Sequence, residues 1–163
     1  MAATVTSSLI VTLRSILANS VGQSAAQASI ETGINQALAT GTGSNQCDRV
    51  YSENDKSLAG AYDLDLSGSL VDALGAACVF AKIKAIVLAA DAANTGDVIV
   101  GGDANAFMFL NLAASTLTIK PGGVFVLFAP AGYTVTAATG DILQFAPSAG
   151  TQLVDIAILG TSV

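Results

Sequence analysis

The chain has 163 residues, of which 52% are hydrophobic and 11% charged, with a formal charge of −6 and neither His nor Trp. A charged content below half the usual level of roughly 25% excludes disorder as the dominant state, because disorder needs high charge and low hydrophobicity. The lack of His removes every Ser-His-Asp or Cys-His arrangement, and six scattered cations (Arg14, Arg49, Lys56, Lys82, Lys84 and Lys120) give no basic footprint for nucleic acid.

Thr4 to Leu17 is rich in β-branched residues and predicts a strand. It has no basic region ahead of its apolar run, and Thr12 and Arg14 cut that run, so no signal peptide is expected. From Ala18 to Ala39, Ile30, Ile34 and Leu38 recur every four residues, a helical spacing weakened by Gly33. Residues 1–45 therefore read as an N-terminal arm, either a short helix or an extended segment. Thr40 to Asn45 is a Gly-rich turn. Its Gly41 and Gly43 supply only two glycines of a dinucleotide-binding fingerprint.

Cys47 lies in polar surroundings and is expected to be at least half exposed, whereas Cys78, within Ala76 to Phe80, reads as a buried small hydrophobe. The two thiols lack the spacing of a zinc site, and nothing requires them to pair. Asp48 to Tyr51 predicts a short strand followed by a polar stretch from Ser52 to Ser57. Tyr62 to Leu66 alternates like a half-buried strand, with Leu64 and Leu66 inward and Asp63 and Asp65 outward. Leu70 to Ala77 predicts one helical turn with Asp72 near its start.

Val79 to Ala90 is the strongest strand, with Lys82 and Lys84 marking its solvent face. The same lysines interrupt the longest apolar stretch, so no membrane span is expected. Ala92 to Asp97 reads as a hairpin turn and Val98 to Val100 as the return strand. Further short strands follow at Leu117–Ile119, Val124–Phe128, Tyr133–Thr136, Ile142–Ala146 and Leu153–Leu159, separated by Gly, Pro and Asp turns. Strands at this spacing predict a mainly all-β domain over 46–163, an antiparallel β-sandwich or jelly-roll-like barrel.

Candidate chemistry is sparse. Asp63 and Asp65, even with Asp91, Asp97 and Asp103, fall short of the six to eight converging oxygens that calcium takes, so no metal and no cofactor are expected. Asp141 reads as a turn residue bonding its own backbone. Tyr133 beside Gly132 is a candidate sugar-stacking platform or a core residue at the sandwich rim. Phe107 and Phe109 alternate, either for core packing or for a subunit interface. No spacing assembles an active site, so the chain does not read as an enzyme. An apolar, charge-poor chain has little to solvate its exterior and is expected to bury surface against copies of itself or a larger partner. The candidate interface residues are Leu9, Val11, Leu13, Ile30, Ile34, Leu38, Phe107 and Phe109.

Several segments in order carry a resemblance. They are Asp48–Tyr51, Asp63–Leu70, Ile83–Val87, Asn94–Gly102, Asn105–Phe107, Ile119–Gly123, Ala129–Thr136, Thr139–Leu143 and Asp155–Gly160. Over about residues 47 to 160 the chain resembles small capsid-associated proteins of tailed bacteriophages, of the head decoration or cement type. The resemblance implies a virion structural protein on the capsid exterior with no catalytic residues. Its expected partners are the major capsid protein and further copies of itself, as a trimer, without direct nucleic-acid or membrane contact. The alternatives are a low-copy tail, spike or fibre-base protein, or a carbohydrate-binding module.

Overall fold

The computed structural model describes residues 4–21, 24–68 and 70–163. Among these residues eleven strands follow in order: β1 (Ser7–Val21), β2 (Ser24–Thr40), β3 (Gln46–Cys47), β4 (Arg49–Leu58), β5 (Tyr62–Asp65), β6 (Lys82–Ala90), β7 (Val98–Gly101), β8 (Thr116–Ile119), β9 (Val124–Thr134), β10 (Ile142–Pro147) and β11 (Gln152–Thr161). One 3-10 turn covers Met108–Leu110.

The last eight strands make two four-stranded antiparallel sheets, in the orders β4-β11-β6-β9 and β5-β10-β7-β8. Successive strands change sheet at every step except β7 to β8. This order is the jelly roll, in which two Greek keys wrap one core. Strict alternation on β11 explains the layering: Val154, Ile156 and Ile158 are buried while Asp155 and Ala157 are exposed. Leu143 and Phe145 of β10 and Val98 and Val100 of β7 face them from the second sheet within one core. Each such side chain contributes about 1.5–3 kcal/mol on full burial.

Two side-chain clusters brace the sandwich. Asp141 is buried and accepts hydrogen bonds on Oδ2 from Ser67 Oγ (2.6 Å) and the Ala138 N–H (2.7 Å). On the other side, Glu53 of β4 accepts from Tyr51 (2.8 Å), Lys56 (2.9 Å) and, at 3.4 Å, Tyr62 of β5. The Lys56 ammonium also stands 3.7 Å over the Tyr62 ring, so one carboxylate ties the edge strands of both sheets together.

The remaining long strands are not part of the sandwich. β1 and β2 pair antiparallel from Ser7↔Leu38 to Val21↔Ser24. At roughly 3.4 Å per residue this hairpin is about 50 Å long. The helical alternative for residues 30–38 is thereby replaced by a strand. A spacing of four is also even, so it keeps Ile30, Ile34 and Leu38 on one face of a strand as it does on a helix, and pairing with the β-branched β1 decides between the two.

Other expectations are corrected. The polar run Ser52–Ser57 continues β4, because an edge strand with one solvated face tolerates it. Residues 70–77 form a tight loop, not a helical turn, closed by a Val71↔Ala77 bridge and by Asp72 Oδ1 accepting the N–H groups of Leu74 and Ala76. Residues 92–97 do not close a hairpin. They cross between sheets, and Asn94 pins them to β11 by bonding both the N–H and the carbonyl of Leu153.

Candidate functional site

Residue pairing sorts the hairpin into two unlike faces. Leu9, Val11, Leu13 and Leu17 of β1 share a face with Ile30, Ile34 and Leu38 of β2. Between them on this face lie only Ser7, Ser15, Ala28, Thr32 and Gln36. The opposite face carries Ile10 and Ile16 but also Thr12, Ser29, Asn35 and the directly opposed Arg14 and Glu31. The first face is dry and uncharged; the second is suited to water.

Along most of its length the dry face covers nothing. Leu13 is 66% exposed, Leu17 71% and Ile30 60%. Burial begins at the root, where Leu9 is half-buried and Leu38 fully so. The root is anchored in several ways. Val5 and the Thr40 side chain exchange two hydrogen bonds, at 3.1 and 2.6 Å. β2 also runs parallel to β3, with Thr40 beside Cys47. Cys47 is fully buried, 3.8 Å from Ser7 Oγ, which corrects the expectation of exposure. Burial pushes its thiol above the ordinary range, against the Ser7 hydrogen bond.

Lys84 is the second correction at the root. It is buried, not on a solvent face. Its ammonium donates to the carbonyls of Pro130 (2.8 Å), Ala131 (3.0 Å) and, in the loop after the hairpin, Gly43 (3.3 Å). These three acceptors use its three protons. The register makes room for it: Ile83 pairs with Tyr133 and Ala85 with Phe128, so residues 129–132 bulge out opposite Lys84. Gly132, at φ +84°, is needed there, since a Cβ would stand 3.1 Å from the Lys84 side chain. Pro130 is tolerated because β9 is an edge strand. Burial first, and then the neighbouring Lys82 charge, holds the Lys84 ammonium below the normal lysine range.

Beside the root lies an open cavity of about 450 Å³ between residues 4–7, β4 and the 72–77 loop, where Leu74 stands out at 86% exposure.

The other candidates fall elsewhere. Phe107 is buried and stacks on Phe109 (5.8 Å between centroids), with Tyr133 edge-on to it at 6.3 Å. Phe107 and Leu38 are thus occupied within the chain and offer a partner no surface, while Leu9, Val11, Leu13, Ile30 and Ile34 come together on the hairpin. The acidic residues disperse into local roles. Asp63 accepts from Gln144, Asp65 from Ser67, Asp91 from the Ala93 N–H, Asp103 from the Asn105 N–H, and Asp97 pairs with Lys120. Among the described residues no three His, Cys, Asp or Glu side chains converge as a metal site, and no helix is long and apolar enough to cross a membrane.

Comparison with protein-family models, with curated proteins and with solved structures finds no match to this chain.

Proposed function

We propose that this chain is a bacteriophage virion structural protein, a decoration or cement protein that binds the outer head lattice as a trimer and stabilises contacts between coat subunits. The observation that carries the reading is the 50 Å hairpin, with its uncharged dry face, projecting from a rigid jelly roll. A two-stranded hairpin is marginal in water by itself, so a chain that keeps one exposed has a use for it in an assembly. Jelly rolls serve in viral capsid and lectin domains. The fold alone does not choose between these uses; the hairpin and the resemblance over residues 47–160 favour the capsid.

In this reading the jelly roll is the rigid body that meets the coat lattice, and the hairpins join copies in neighbouring trimers so that several weak coat contacts act together. Linked contacts raise avidity by about 10²–10⁴ without any new interface. The test is co-sedimentation with capsids of the phage that encodes the chain. One form is the whole chain; the other has residues 9–36 replaced by an Asn-Gly turn, which joins the paired Ser8 and Ala37. The whole chain should pellet with capsids and the shortened one stay in solution. Pelleting of both to the same extent would remove the hairpin from the mechanism, and pelleting of neither would reject the capsid.

A further inference from the structure

We infer that the dry face of the hairpin is covered by the dry face of a second copy of this chain, hairpin against hairpin. This deepens the assembly reading by naming what the hairpin binds, but it concerns the chain alone and holds without any coat protein.

Charge is the first argument. Of the twelve acidic and six basic residues, the hairpin holds only Glu31 and Arg14, which neutralise each other on the wet face. The whole net charge of −6 therefore sits on the remainder of the chain. Jelly rolls of two copies repel, whereas two dry faces meet with no like charges opposed. Side-chain relief is the second argument. On the β2 side of the face large residues (Ile30, Ile34) alternate with smaller ones (Ala28, Thr32), and on the β1 side Ser15 opens a gap between Leu13 and Leu17. Identical faces related by a two-fold axis can seat large against small, as inner faces of packed sheets do.

Area is the third. From Leu9 to Leu17, beyond the buried root, the face is about 30 Å long and about 10 Å wide, from strand rise and spacing. Two stacked faces thus hide about 600 Å² of flat footprint, below the roughly 1,200 Å² at which stable complexes begin. Pairing through this face alone is consequently reversible and concentration-dependent, as suits a component that becomes permanent only when a lattice adds contacts.

Sedimentation velocity of the purified full chain, over roughly 1 µM to 1 mM, tests this. A shift from monomer to dimer with rising concentration is expected; monomer throughout, or a trimer formed without a dimer, would overturn the inference. Val11→Thr with Ile34→Thr, which keeps strand propensity, should raise the dissociation constant at least about tenfold, since four methyl-bearing contacts per pair are altered. Ile10→Thr with Ile16→Thr, on the wet face, should change it by less than about twofold. Association that ignores the dry-face pair would mean edge-to-edge strand pairing instead. Leu74→Asp beside the root should leave association intact; its loss would place the neighbour's hairpin on the jelly roll and overturn hairpin-to-hairpin packing. Capsid binding by a chain that stays monomeric would sink this inference and spare the proposed function, and self-association without capsid binding would do the reverse.

Discussion

Val11 and Ile34 stand directly opposite each other across β1 and β2, on the same side of the hairpin, and both remain largely exposed, at 40% and 52%. A cross-strand apolar pair of this kind contributes about 0.2–1 kcal/mol, which fixes register but does not hold a hairpin shut.

Amide hydrogen exchange should therefore split the chain in two. In dilute protein, amides of residues 9–17 and 28–36 should exchange through local opening, far faster than those of β6 and β11, whose protection approaches the global stability. Raising the protein concentration should slow the hairpin amides and leave the others unchanged. Uniform protection at low concentration would show that the hairpin is stable without a partner.

Lys84→Met should loosen the join between hairpin and jelly roll. The variant keeps the length of the side chain but leaves the carbonyls of Pro130, Ala131 and Gly43 without their donor. A loss of about 2 kcal/mol is expected in urea denaturation, the relief of a buried charge offsetting part of the lost bonding. An unchanged midpoint would mean that water reaches these carbonyls and replaces the ammonium.

The buried thiols predict alkaline weakening. Burial first, and then the nearby Asp72 carboxylate, raises Cys78 to about 11. The unfolded chain gives up this proton at lower pH than the folded one, so stability falls as pH rises through the ordinary thiol range and levels off only above about 11. The full effect is on the order of 2 kcal/mol. Cys78→Ala should be less stable at neutral pH, from the cavity it leaves, yet show a flatter decline between pH 8.5 and 11, a span set by the usual thiol value of about 8.5 and the raised one of Cys78. Parallel declines in both proteins would contradict the assignment.

Glu53 predicts the acid limb. Burial pushes its carboxyl up, but the Lys56 ammonium and the Tyr51 and Tyr62 hydroxyls outweigh this and hold it below the ordinary range. A lowered folded value means stability that is present above the unfolded value and lost as pH falls through the folded one. Glu53→Gln should cost about 1 kcal/mol at pH 7, a modest figure for a partly solvated pair. That difference should vanish in acid; a difference that persists unchanged there would assign it to packing.

Much of the sandwich was legible because alternation and turn chemistry are local. Leu64, Val98, Val100, Leu143 and Phe145 all lie inward as their patterns require. The order of strands was not legible, since pairing β4 with β11 joins residues about 100 positions apart. Lys84 was misread for the same reason. Alternation assigns it a face, but only the bulge of residues 129–132 reveals that this face is roofed by carbonyls. Cys47 looked exposed because its neighbours in sequence are polar, whereas its neighbours in space come from the hairpin root. Five of the hairpin's candidate residues lie together on one face because even spacing survives the change from helix to strand, while Leu38 and Phe107 are taken into the chain's own packing. The link that Glu53 makes between the sheets left no sequence signal: Tyr51 and Lys56 are its neighbours on β4, but Tyr62 belongs to β5 of the other sheet.

Counting this chain against the major coat protein by quantitative mass spectrometry of purified virions tests the central claim most directly. A ratio near one copy per coat subunit, or near one trimer per local threefold position, is the result expected of a lattice-wide decoration protein. A few copies per hundred coat subunits would move the chain to a vertex, neck or tail, and its absence from the particle would contradict a virion role altogether.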